Sequence, residues 1–144
     1  MCIRDSDYNA VRTAYARREI LADVVPFLTN MSERFAWADL LVCRAGAITA
    51  AEVAASGRAA IFIPFGRATD SHQLRNAQAM SSANAGRLIT EPELTPERLT
   101  REIFSLLDQP REIETLSTNA RKLAYPHAAR DIVDLIEEAV RRPQ

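Results

Sequence analysis

Arg44-Ala45-Gly46-Ala47-Ile48-Thr49-Ala50-Ala51-Glu52 is a run of small residues closed by one carboxylate, and its spacing suits a nucleoside diphosphate. It follows an apolar stretch, Leu40–Cys43, and leads into a helical pattern. Gly46 permits a tight turn, and the amides of Ala47, Ile48 and Thr49 open the helix without acceptors of their own. Such a terminus attracts phosphate, by about 0.3–1 kcal/mol from the dipole and up to about 2 kcal/mol when partly buried. Ala50 and Ala51 keep the approach to the backbone clear. Glu52, one turn in, can accept from both hydroxyls of a ribose at about 1.5–3 kcal/mol per charged hydrogen bond. A reading without ligand stands beside this one, because Thr49-x-x-Glu52 is also a capping box.

Asp70-Ser71-His72-Gln73-Leu74-Arg75-Asn76-Ala77 is the second such segment. It comes after the apolar run Ala60–Pro64 and a loop containing Gly66. His72, Gln73 and Asn76 share a helix face by their spacing, and neutral amides suit a sugar because they donate and accept without imposing charge. Here too a cap is the alternative, with Asp70 at the N-cap and Gln73 three residues on. In the third segment, Pro26-Phe27-Leu28-Thr29-Asn30-Met31, Phe27 and Leu28 can cover an apolar base while their backbone reads its edge. An apolar strand end is more often plain core.

These segments need a scaffold that brings them to one edge. Ala22–Phe27, Leu40–Cys43, Ala60–Pro64 and Arg87–Ile89 read as strands, mostly apolar without alternation, as in a parallel sheet covered on both faces. Helical patterns fall near 8–19, 30–38, 48–56 and 71–84. Strand–helix–strand repetition predicts an α/β layered, Rossmann-like fold, and ligands of open parallel sheets bind beyond the carboxyl ends of the strands. All three segments follow an expected strand. Past residue 94 the pattern turns helical: Thr95-Pro96-Glu97 is a helix start, Leu99, Ile103, Leu106 and Leu107 continue it, and Pro110 and Pro126 open two more helices. The last carries Ile132, Val133, Leu135, Ile136 and Val140. The whole reads as one domain or part of one.

Composition narrows the classes. The 144 residues are 47% hydrophobic and 26% charged with a formal net charge of -1, so no basic excess recommends nucleic acid. The two cysteines, Cys2 and Cys43, and the two histidines, His72 and His127, have no metal-ligand spacing; no metal and no cofactor are expected. Cys43 sits in an apolar run and is expected to be a buried thiol. No apolar run approaches the roughly 20 residues of a membrane span, and the leading MCIRDS has no hydrophobic core of a signal peptide. Residues 1–6 fit nothing downstream and are expected to be a non-native leader, with the native chain beginning further upstream.

PFLTNMSERFAWADLLVCRAGAITAAEVAASGRAAIFIPF followed by DSHQLRNA resembles the carboxyl-terminal domain of the MurG family, the lipid-linked N-acetylmuramyl-pentapeptide N-acetylglucosaminyltransferases of peptidoglycan synthesis. The likeness runs from about Tyr8 to the end, and its specific part is the RAGAxTxxE run together with the HQxxNA run. The resemblance implies a GT-B fold whose carboxyl-terminal domain holds UDP-N-acetylglucosamine. Leu28 would hold the uracil through its backbone with Phe27 beside it. Ala47, Ile48 and Thr49 would cradle the diphosphate, Glu52 would bind the ribose, and Gln73 with His72 would contact the sugar. Arg44 and Asn76 would support these contacts. Arg58 stands where the family usually has proline, and Gly66-Arg67 replaces a common Pro-His.

The family's amino-terminal domain, which holds the lipid-linked acceptor, and the glycine-rich loop after the first strand have no counterpart here. No catalytic residue is therefore assigned, and the chain alone is expected to be inactive. In the family the transfer inverts the sugar, converting lipid I to lipid II, and the complete enzyme is cytoplasmic and peripheral on the inner face of the plasma membrane. Two strands would be missing between Ala22–Phe27 and Leu40–Cys43, a gap of roughly 10–14 Å. Ala22–Phe27 then either slides onto Leu40–Cys43 or stands apart and leaves open edges that invite aggregation. Other readings remain: another GT-B transferase such as a diacylglycerol galactosyltransferase, a non-catalytic donor-binding subunit, or an α/β interaction domain without a ligand.

Overall fold

The computed structural model describes residues 5–66 and 71–141. Contacts divide the chain into two compact units, residues 1–38 and 39–144. The first unit holds helices α1 (Asp5–Arg17) and α2 (Met31–Trp37). Of the leader expected at residues 1–6, the first four lie outside the described residues, and Asp5 and Ser6 open α1. Arg12 stacks its guanidinium 5.7 Å over the Tyr8 ring one turn away, and Arg34 pairs with Asp23 at 3.1 Å.

The strand expected over Ala22–Phe27 does not form; residues 20–30 are irregular. A strand exists only through hydrogen bonds from a neighbour, and among the described residues 21–29 make no backbone hydrogen bond. Pro26 has no N–H to offer, and Leu21 and Phe27 lie exposed.

The second unit is a parallel three-stranded sheet with helices, in strand order β1-β2-β3. β1 is Leu40–Cys43, β2 is Ala59–Phe62 and β3 is Arg87–Leu88. Between them run α3 (Ala47–Ser56) and α4 (His72–Ser82); after them come a single 3-10 turn (Glu91–Glu93), α5 (Pro96–Leu107), α6 (Pro110–Lys122) and α7 (Ala128–Arg141). β2 is central and buried at every residue, which is why AAIF carries no polar side chain. β1 has only β2 beside it and exposes Val42, so among the described residues its other edge is open. The ladder continues one bond past each strand, Ile63 N–H to Cys43 O at 2.8 Å and Ile89 N–H to Phe62 O at 3.0 Å. These extra bonds carry the sheet's order up to the loops that follow β1 and β2.

Ala59, Ile61, Ile63, Ile89, Leu106 and Leu116 form one core cluster, with Leu99, Ile103 and Ile113 packed around it. Each fully buried isoleucine or leucine there contributes about 1.5–3 kcal/mol. Thr95 caps α5 as expected, accepting from Arg98 N–H at 3.1 Å with Pro96 in the first helical position. α3 ends at Gly57, whose left-handed φ of 59° only glycine adopts freely. A Cβ at that position would collide with the Arg121 side chain. α7 begins at Ala128, two residues beyond Pro126, and buries none of its residues; Ile132, Val133, Leu135, Ile136 and Val140 are all exposed.

Candidate functional site

β1 ends at Cys43, and after three intervening residues α3 begins at Ala47 with Gly46 as its N-cap and no side chain capping it. The first bond of the helix runs from Ala50 N–H to Gly46 O at 2.9 Å. The amides of Ala47, Ile48 and Thr49 therefore have no acceptor within the helix. Ala47 and Ile48 are exposed and Thr49 is half-buried. Gly46 sits at φ -60° and ψ 152°, which any residue adopts, so the tight-turn reason for a glycine does not hold. Its value is open approach: a Cβ there would meet only Thr49 Oγ1, at 3.8 Å.

This start corrects the capping-box alternative. Thr49 is the third helical residue, not the cap, and Glu52 is the sixth. Glu52 is half-buried and lies on the face below Ile48, one turn in. Among the described residues its carboxylate has no hydrogen-bond or ion-pair partner. The alanines on the next face of α3, Ala47, Ala50, Ala51 and Ala54, line a groove of about 320 Å³ that reaches Met80 and Tyr125. That groove is mostly apolar; of its two side chains with polar atoms, Asn76 and Tyr125, Asn76 is already engaged with Ala45 O.

The second cap is corrected as well. Asp70 lies outside the described residues; Ser71 is the N-cap of α4, without a side-chain cap bond. Gln73 is half-buried, and its Oε1 accepts from Phe65 N–H at 3.0 Å. A backbone N–H can only donate, so this bond fixes the amide's orientation, with its NH₂ group as the donor end. His72, the first helical residue, is exposed.

Arg44 and Asn76 hold the loops together. Asn76 Nδ2 donates to Ala45 O at 3.0 Å, tying α4 to the approach to α3. One terminal nitrogen of Arg44 reaches Ile63 O at 3.2 Å, Pro64 O at 3.4 Å and Glu91 Oε1 at 2.7 Å. Its guanidinium lies 5.3 Å from the Phe65 ring centre. Glu91 in turn accepts from Gly66 N–H through Oε2 at 3.0 Å. The loops after β1, β2 and β3 are thus laced at one end of the sheet. Sequence reasoning missed Glu91; the signal was available, since it follows the third strand as the other segments follow theirs.

Phe27 and Leu28 belong to the first unit, Phe27 exposed and Leu28 half-buried, in the irregular stretch before α2 rather than at a strand end. Cys43 is a free, half-buried thiol, and burial pushes its pKa up to about 11. Among the described residues no three His, Cys, Asp or Glu side chains gather to hold a metal, and no helix is long and apolar enough to cross a membrane.

The family description "Glycosyltransferase family 28 C-terminal domain" matches residues 1–136. The chain is 45% identical over 130 residues to a UDP-N-acetylglucosamine–N-acetylmuramyl-(pentapeptide) pyrophosphoryl-undecaprenol N-acetylglucosamine transferase of Geotalea daltonii, covering 90% of this chain and 36% of the relative. Relatives with the same name from Geobacter sulfurreducens and Bordetella petrii are 41% and 46% identical, covering 97% and 93% of this chain and 38% and 37% of theirs. The crystal structure of Acinetobacter baumannii MurG superposes with a TM-score of 0.84 at 34% identity, over 93% of this chain and 41% of that one. The chain spans less than two fifths of the length of these curated relatives.

Proposed function

The chain belongs to the glycosyltransferase family 28 carboxyl-terminal domain family, and from that membership we propose that it binds UDP-N-acetylglucosamine as the donor part of a hexosyltransferase of peptidoglycan synthesis. The whole protein would move N-acetylglucosamine onto a lipid-linked N-acetylmuramyl-pentapeptide, working at the inner face of the membrane as a peripheral protein. The observation that carries the reading is the uncapped start of α3, with the Ala47, Ile48 and Thr49 amides directly beyond a parallel strand.

In this reading the three amides hold the diphosphate, and Glu52 accepts from the ribose hydroxyls. The NH₂ group of Gln73 donates to a sugar oxygen with His72 beside it. As the bond from C1 of the sugar to the diphosphate breaks, negative charge grows on the phosphate oxygen that leaves. Fixed N–H groups at a helix start stabilise that growing charge more than the ground state, which is how binding becomes rate. An acceptor hydroxyl attacking the opposite face of C1 gives inversion. No side chain of this chain is proposed as its base.

A chimera in which this chain replaces the matched segment of the Geobacter sulfurreducens relative tests the proposal. Offered UDP-N-acetylglucosamine, UDP-glucose and UDP-galactose together, it should transfer N-acetylglucosamine and release UDP. A preference for UDP-galactose, or a folded chimera with no UDP-sugar binding, would reject the reading.

A further inference from the structure

We propose that Glu91 is a positioning residue that sets the sugar side of the donor site, acting through Arg44 and the turn at Gly66; the inference rests on the donor reading above. One carboxylate reaches two loops that are far apart in sequence. Its Oε1 holds Arg44 at 2.7 Å, three residues before α3 begins. Its Oε2 takes the N–H of Gly66 at 3.0 Å, next to Phe65, whose own N–H fixes Gln73. The side chains of Arg44 and Glu91 are 39% and 28% exposed, so the pair is partly withdrawn from water, and a charge-assisted hydrogen bond gains strength as the local dielectric falls.

Two further observations show that Glu91 is itself held. It opens a 3-10 turn braced by Thr90 and Glu93: Thr90 Oγ1 lies 2.6 Å and Thr90 N–H 3.1 Å from Glu93 Oε2. These bonds also hold the Glu93 carboxyl below the usual range. The second concerns residue 66, where a Cβ would stand 2.8 Å from Glu91 Oε2. An alanine there would push the carboxylate off the amide.

The two sides of the site depend on Glu91 unequally. The start of α3 keeps its own helix and the bond from Asn76 to Ala45 O. Arg44 keeps Ile63 O and Pro64 O. The Gly66 turn, by contrast, loses its anchor to the loop after β3 and is left with Phe65 and Gln73 holding each other. Losing the carboxylate therefore loosens the group that meets the sugar and spares the amides that meet the diphosphate.

The experiment is calorimetric titration of the chimera with UDP and with UDP-N-acetylglucosamine. Glu91→Ala should raise the Kd for the UDP-sugar about 5–20-fold while the Kd for UDP moves less than about twofold, a selective loss of oriented contacts. Gly66→Ala should reproduce that pattern. Glu91→Gln keeps one oxygen for one of the two donors and should fall between. Equal weakening of both ligands, or an unchanged UDP-sugar affinity in Glu91→Ala, overturns the proposal. Glu52→Ala is measured alongside. If it weakens UDP while Glu91→Ala leaves the ratio of the two affinities intact, positioning by Glu91 fails alone. If Glu52→Ala leaves UDP unaffected, the donor reading itself fails.

Discussion

Replacing Glu52 by alanine separates ligand binding from stability, because the structure gives the carboxylate no other work. It sits sixth in α3, half-buried, with no hydrogen-bond or ion-pair partner among the described residues. Its truncation removes no contact that holds the fold. Alanine is the best helix former, so stability should stay within about 0.5 kcal/mol. Binding is another matter. A carboxylate accepting from a ribose hydroxyl contributes about 1.5–3 kcal/mol per bond, and part of that returns as hydration of the freed hydroxyls. A net loss of about 1.4–2.7 kcal/mol corresponds to a 10–100-fold rise in the Kd for UDP. Glu52→Gln, which keeps the shape and loses the charge, should lie between the two. Titration calorimetry on the chimera with UDP, paired with thermal unfolding, reads both quantities. A capping role gives the opposite pattern: about 1 kcal/mol of stability lost, a fall of roughly 1–2 °C in Tm for a chimera more than twice this chain's length, and UDP affinity unchanged. That outcome would refute the placement of Glu52 beside a ribose.

Ala47→Pro deletes one of the three free amides without disturbing the helix, since proline is favoured at the first helical position and Gly46 already has the extended ψ of 152° that precedes it. UDP affinity should fall about tenfold with Tm unchanged, and equal UDP affinity in the two proteins would remove that amide from the diphosphate. Gly57→Ala should lower stability by at least about 1–2 kcal/mol in urea unfolding, because the left-handed φ of 59° is strained for alanine and its Cβ displaces Arg121. A protein as stable as the parent would show that the turn relaxes. Cys43 is held protonated by burial, with its pKa near 11 against an ordinary 9.0. Its alkylation rate should keep climbing up to about pH 11, and folded stability should fall as pH rises from about 9, because the unfolded thiol gives up its proton first. An alkylation rate that levels off near pH 9 would contradict the burial.

Local pattern was legible where one residue type suffices. Thr95-Pro96 marked the start of α5, the unbroken apolar run Ala60–Pro64 marked a covered strand that forms over Ala59–Phe62, and small residues after LLVC marked the approach to α3. The places that failed were those where two local solutions compete. Thr49-x-x-Glu52 satisfies the rule for a helix cap, yet the chain leaving β1 turns helical at Ala47, with Ala45 O held by Asn76. Ala22–Phe27 has strand-like composition, yet no neighbour supplies the ladder that would make it one.

From the order of residues alone came the parallel α/β plan, the family, and the segments that follow β1 and β2, because each is written in contiguous sequence and hydrophobic period. Tertiary structure decided which amides are left without acceptors, which end of the Gln73 amide is tied to Phe65, and that Glu91 joins Arg44 to Gly66. Arg44 and Glu91 are 47 residues apart in the chain. Their meeting depends on strand order and register, which no short stretch of sequence contains.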